Sequence, residues 1–263
     1  MLRLLRLPRI LTRRSSTLKA NNPYIAHSMQ SPSRISNAAP SSSGPHKPIV
    51  WIDCEMTGLN PAQDQIIEVC CIVTDGHLNT LDDGYESVVH CDKQVMDKMD
   101  EWCTEHHGSS GLTAKVIASD KTPSEVEEEL LAYIKKHIPE SNVGVLAGNS
   151  VHMDRLFMMK DFPRVVDHLF YRIIDVSSIR EVCYRHNSQL LKVMPRKKLA
   201  HTAKSDILES IAQLKWFQNY YLKSEAETRA LVKSIQASDA ASSADSNADS
   251  TAASTADSTA ATG

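Results

Sequence analysis

The chain has 263 residues, 41% of them hydrophobic and 23% charged, and a net charge of −3. The charge is unevenly spread: residues 1–52 hold eight Lys or Arg and no acid, 237–263 hold four Asp and no base, and 53–236 therefore carry −7. A protein that coats long nucleic acid through a basic surface is excluded, since such binding runs on phosphate neutralisation. So is an integral membrane protein, because no apolar run approaches the ~18 residues that span a bilayer.

The chain opens with leucines set among Arg3, Arg6, Arg9, Arg13 and Arg14, followed by Ser15 and Ser16. An Arg-rich, Ser-rich, acid-free start is the composition of a mitochondrial transit peptide, and its arginines break the apolar centre that a secretory signal needs. A basic arm without that role is the alternative. From about Ser28 to Pro48 the chain is a Ser, Pro, Asn and Gly linker with too little to bury. Residues 1–47 are thus expected to be a transit peptide plus disordered linker, sending the product to the mitochondrial matrix. Translation starting at Met29 would leave a cytosolic form.

The span 48–236 reads as one α/β domain. Ile49–Cys54, Ile66–Thr74 and Tyr85–His90 are short apolar runs separated by turn residues, which predicts three strands joined as hairpins. Thr122, Pro123 and Glu125 open a helix with a capping box, and Val126, Leu130, Ile134 and Ile138 mark its buried stripe. Val143–Ala147 predicts a strand, and Ser150 caps the helix that starts at Val151. Ile173 and Ile174 give a short strand before a helix over 177–185. The last helix runs from Ser205 to about Lys223 with Ile207, Ile211, Leu214 and Leu222 inward. This order predicts a mixed sheet with helices on both faces. Residues 237–263 are Ala, Ser, Thr and Asp, a disordered low-complexity tail. The six cysteines (Cys54, Cys70, Cys71, Cys91, Cys103, Cys183) form no C-x-x-C pair and read as buried, reduced thiols.

Asp53 and Glu55 end the first strand. Residues i and i+2 share a strand face, so two carboxylates point one way. They repel unless a cation joins them, and an all-oxygen site suits Mg²⁺ or Mn²⁺. A solvated strand end carrying two acids is the other reading. Asp154, in the first turn after Ser150, is either a ligand or an acid favoured by the helix dipole. His201 and Asp206 lie five apart, about 140° around a helix, too far to share a site from one face. Serving one site would put His201 on the loop and Asp206 in the first turn. A lone histidine is otherwise a surface or core residue.

Taken together, D-x-E, then D, then H-x₄-D resembles the DEDDh group of 3′→5′ exonucleases. Asp53-Cys54-Glu55-Met56-Thr57-Gly58-Leu59, Gly148-Asn149-Ser150, Tyr171-Arg172-Ile173-Ile174-Asp175 and His201-Thr202-Ala203-Lys204-Ser205-Asp206 are similar to the oligoribonucleases within it, from about Ile49 to Tyr221. The chain departs at Ser205, where that family often has Asp, and in its two terminal extensions. The resemblance implies a ribonuclease H-like fold, a homodimer, and removal of nucleoside 5′-monophosphates from the 3′ end of very short single-stranded RNAs, dinucleotides especially. It implies two divalent metal ions, Mg²⁺ or Mn²⁺, on Asp53, Glu55, Asp154 and Asp206, and His201 as the base that takes a proton from water. It also assigns substrate contacts. Met56, Leu59 and Trp102 would meet the terminal bases, though Trp102 could equally be core. Ser150, Tyr171, Arg172 and His107 would cap the 5′-phosphate, some of them from a partner subunit. Two other functions fit less of the sequence. A related exonuclease trimming longer RNA or DNA would want a basic track, and a catalytically dead binding domain would lack some of the five residues.

Overall fold

The computed structural model describes residues 46–195 and 202–239. The leader, His201 and most of the tail lie outside the described residues. Five strands form one sheet: β1 (Ile49–Met56), β2 (Ile66–Thr74), β3 (Tyr85–Val88), β4 (Val145–Gly148) and β5 (Phe170–Asp175), in the order β3-β2-β1-β4-β5. β1, β2 and β3 pair antiparallel, whereas β4 is parallel to β1 and β5 to β4. The sheet is mixed, as expected. Between the strands come α1 (Lys93–Met96), α2 (Glu101–Ser109), α3 (Leu112–Ala118), α4 (Pro123–His137), α5 (His152–Asp161) and α6 (Pro163–His168). After β5 follow α7 (Val176–His186), α8 (Ser188–Leu191), α9 (Ala203–Tyr220) and a helical run over residues 225–239, here α10.

Strand alternation sorts β1 between two cores. Val50, Ile52 and Cys54 face α4, α5 and α6, joining Leu130, Ile134, Phe157, Met158 and Val165. Ile49 and Trp51 face α7 and α9, joining Val176, Cys183, Ile207, Ile211, Leu214 and Phe217. Helices therefore cover both faces, and Asp53 and Glu55 continue the row of Ile49 and Trp51. A third cluster of Ile67, Cys91, Met96, Leu112 and Val116 seats α1 and α3.

Several local predictions match the structure. Thr122 Oγ1 accepts from the Glu125 N–H at 3.3 Å while Glu125 Oε2 accepts from the Thr122 N–H at 2.8 Å, the capping box of α4. All six cysteines are free and buried. Other predictions need correction. Ser150 is not the cap of α5: it sits at φ 55°, and Val151 takes the cap position with no side-chain bond. Leu222 is exposed because α9 ends at Tyr220. The first strand extends two residues beyond Cys54, while β3 stops at Val88. α2 lacked an apolar repeat by which to be read, since Cys103 and His107 are its buried residues. α10 runs through 237–239, three residues past the expected start of the tail.

Candidate active site

The ladder between β1 and β4 ends at Trp51, paired with Ala147, because β4 itself ends at Gly148. Beyond it, the β1 backbone must find other partners on that side. The Cys54 N–H donates to Asp154 Oδ1 at 2.9 Å, a contact across 100 residues of sequence. This bond brings the first turn of α5 onto the end of β1 and sets Asp154 beside Asp53 and Glu55. Asp206 arrives from the opposite face in the first turn of α9.

Glu55 feels the charges of Asp154 and Asp206. Burial raises Glu55 to about 7, and the charges of Glu68, Asp206 and Asp154 push the same way. Burial likewise raises Asp154 to about 6, against the hydrogen bond from Cys54. Among the described residues no group of three or more His, Cys, Asp or Glu is gathered tightly enough to hold an ion. The donor set nevertheless fits a hard divalent cation. It offers only oxygen, it is partly desolvated, and a positive charge would offset the burial and the neighbouring acids that raise Glu55.

A polar network supports both helix starts. Asn149, in the turn between β4 and α5, donates from Nδ2 to Ser210 Oγ at 2.6 Å and accepts from Ser177 Oγ at 3.1 Å. Ser210 Oγ donates to the Asp206 carbonyl at 2.8 Å. Asp175 Oδ1 accepts from the backbone N–H groups of Ser150 and Ser177, both at 2.9 Å, and Ser150 Oγ donates to Ser177 Oγ at 3.2 Å. Sequence reasoning did not single out Asn149, Asp175, Ser177 or Ser210 as site residues. An Asp two residues before a Ser at a strand-to-helix junction is a capping signal that could have flagged Asp175 and Ser177. Ser205, the departure from the related sequences, closes a loose capping box with Thr202 in which both reciprocal bonds are 3.4 Å.

The predicted substrate contacts fall in different environments. Met56 is half-buried at the end of β1, while Leu59 is 76% exposed and Trp102 60% exposed. The Trp102 ring stacks on His106 at 4.0 Å, so it is not a core tryptophan. Tyr171 and Arg172 are exposed because β5 breaks register between the pairs Val145–Phe170 and Leu146–Ile173, ejecting both residues from the ladder. Arg172 Nε donates to Tyr171 Oη at 3.0 Å, with its guanidinium over both the Tyr171 and Phe170 rings. His107 differs from the others. Its ring is buried, its Nε2 bonds the Met56 carbonyl at 2.9 Å, and its Nδ1 lies 3.9 Å from Glu55 Oε2. Since a carbonyl only accepts, Nε2 carries a proton, and burial lowers the ring's pKa against the bond to Met56. His107 thus lies buried between the Met56 carbonyl and the Glu55 carboxylate. His201 lies outside the described residues, immediately before Thr202, the N-cap of α9.

Comparisons with known proteins identify the family and the fold. The chain matches the Exonuclease family over residues 50–214. It is 62% identical over 192 residues to the mitochondrial oligoribonuclease of Saccharomyces cerevisiae, covering 70% of this chain and 71% of that one. It is 44% identical over 176 residues to a probable oligoribonuclease of Schizosaccharomyces pombe, covering 67% and 69%. Among solved structures, a zinc-bound complex of E. coli exonuclease I with single-stranded DNA superposes at a TM-score of 0.53 with 14% identity. That match covers 67% of this chain and 41% of the exonuclease, and it shows a shared ribonuclease H-like fold. Fold, acid cluster and sequence identity converge, and the chain belongs to the oligoribonuclease family of exonucleases.

Proposed function

We propose that the protein hydrolyses very short single-stranded RNAs from the 3′ end, releasing nucleoside 5′-monophosphates. The single observation that carries this reading is the bond from the Cys54 N–H to Asp154, which gathers an acid from α5 onto the Asp53–Glu55 strand end facing Asp206. Asp53, Glu55, Asp154 and Asp206 would hold two divalent cations, Mg²⁺ or Mn²⁺, which activate water and stabilise charge on the phosphodiester oxygens. His201, just ahead of α9, takes the proton from the attacking water, a task suited to imidazole. Leu59, Met56 and Trp102 receive the terminal bases, and His107 acts beneath them by fixing the Met56 carbonyl. Ser150, Tyr171 and Arg172 bind the 5′-phosphate with charge-assisted hydrogen bonds, which a longer chain with an internal diester there would forgo. The exposed bulge on the edge strand β5 supports a homodimer in which some of these contacts come from the partner.

The decisive experiment is a digest of a labelled, 5′-phosphorylated dinucleotide with and without Mg²⁺, in competition with a long RNA. Preferential, Mg²⁺-dependent release of mononucleotide from the dinucleotide is expected. Faster consumption of the long RNA would replace this reading with a trimming exonuclease. The basic, acid-free start and the mitochondrial name of the yeast relative support a matrix protein with a cleaved leader. Residues 1–47 fused to a reporter should carry it to mitochondria, and a cytosolic reporter would reject the leader. A product begun at Met29 should stay in the cytosol. Among the described residues no helix is long and apolar enough to cross a membrane.

A further inference from the structure

The connection between β1 and β2 holds Leu59 out in solvent, yet the turn beneath it is heavily bonded. Asp64 Oδ1 accepts from Thr57 Oγ1 at 3.0 Å and Asp64 Oδ2 accepts from the Asn60 N–H at 2.9 Å. The backbone closes the same ring, with the Thr57 N–H on the Gln65 carbonyl at 3.0 Å and the Asp64 N–H on the Asn60 carbonyl at 2.8 Å. The carboxylate lies directly under Gly58: a Cβ there would come within 2.5 Å of Asp64 Oδ2 and 2.8 Å of Oδ1. Only glycine allows that approach. The far end of the turn is fastened to α5. Lys160 Nζ donates to the Asp64 carbonyl, and Asp161 Oδ2 accepts from the Ile66 N–H at 3.0 Å.

A leucine this exposed on a turn this constrained is an unusual use of hydrogen bonds. The bonds gain the fold no apolar burial at Leu59, so what they secure is the backbone that carries its side chain. The helix at the other end of the fastening, α5, is the one that carries Asp154. We propose that Asp64 is a positioning residue for substrate: through Thr57, Gly58 and Asn60 it fixes Leu59 at a set place relative to the acid cluster, so that Leu59 meets the base of the second nucleotide without first being ordered. This rests on the reading of Leu59 as a substrate contact. Preorganisation of this kind improves binding by removing the cost of immobilising the contact.

The test uses the full chain, two substrates and a double-mutant cycle. One substrate is a 5′-phosphorylated RNA dinucleotide; the other is a p-nitrophenyl ester of uridine 5′-monophosphate, which has one base and the same phosphodiester. Asp64→Ala should raise KM on the dinucleotide by about tenfold, the weight of one well-placed contact, and leave kcat close to wild type. The nitrophenyl ester should be hardly affected. Asp64→Ala combined with Leu59→Ala should be no worse than Leu59→Ala alone, since a leucine already absent cannot be misplaced. Asp64→Asn, which keeps one acceptor oxygen, should fall between, and the same cycle is read with it should the alanine variant fail to fold. Equal losses on both substrates, or effects of Asp64 and Leu59 that multiply, would overturn the proposal. Failure of the wild-type protein to cleave the dinucleotide would instead reject the function itself, before any variant is compared.

Discussion

Two helices each deliver one acid to the site from their first turn, and they are anchored in opposite ways. α5 has no side-chain cap: Ser150 before it is left-handed, Val151 holds the cap position, and Asp154 is buried against the Cys54 N–H. α9 is capped locally by Thr202 and Ser205, and its Asp206 is only half-buried. Asp154 therefore doubles as part of the fold, standing in for the strand that β1 lacks beyond Trp51. Asp206 sits on a helix whose start is capped by its own neighbours. The proposed catalytic cluster thus takes one acid from a helix seated by a long-range bond and one from a helix capped locally, and Asn149 joins the two helix starts.

The largest effect that can test this contrast comes from the acids themselves. Asp154→Ala and Asp206→Ala should each bring dinucleotide hydrolysis in Mg²⁺ below detection, measured as mononucleotide released. Stability should separate two substitutions of Asp154. Asp154→Ala strands the buried Cys54 N–H, a loss of about 1–3 kcal/mol. Asp154→Asn, which keeps an acceptor, should be inactive and stable. Equal melting losses for Asp154→Ala and Asp154→Asn would break the comparison.

A smaller effect belongs to the link between the helices. Asn149→Ala should lower kcat about 10–100-fold, the range for removing a support behind a metal site such as the one proposed, with the fold intact by circular dichroism. A rate within twofold of wild type would show that the helix starts hold themselves.

The metal-free protein should also reveal the strain in the cluster. Burial, and then neighbouring acids, raise Glu55 to about 7, so the folded state holds its proton more tightly than the unfolded chain. Its contribution is present in full below the unfolded value near 4.5 and is lost as pH rises towards 7. In chelator, the melting temperature should fall between pH 5 and 8, and Mg²⁺ should restore it most at the alkaline end. Glu55→Gln should flatten that decline. An equally steep decline in the variant would assign it to other groups.

The smallest effect lies at the cap of α9. Thr202→Ala should cost about 0.5–1 kcal/mol, at the low end because both reciprocal bonds are long. Turnover at saturating Mg²⁺ should be little changed, and a large loss would make the cap part of the site.

The sequence by itself determined the features that depend on near neighbours. Alternation along β1 put Asp53 and Glu55 on one face, the Thr122 box started α4, and the five-residue spacing of His201 and Asp206 required the first-turn position that Asp206 occupies. Only the tertiary structure decided the rest. That Cys54 offers its N–H to Asp154 depends on where β4 stops alongside β1. The exposure of Tyr171 and Arg172 depends on a register slip between β4 and β5. Ser150 reads as a cap in sequence, yet the Asp175 carboxylate across the turn takes its N–H, and its backbone is left-handed. Periodicity and capping are written within a few residues, because they arise from the local geometry of one helix or strand. Pairing partners are not, because a backbone group left over by one element is satisfied by whichever distant group packing brings to it.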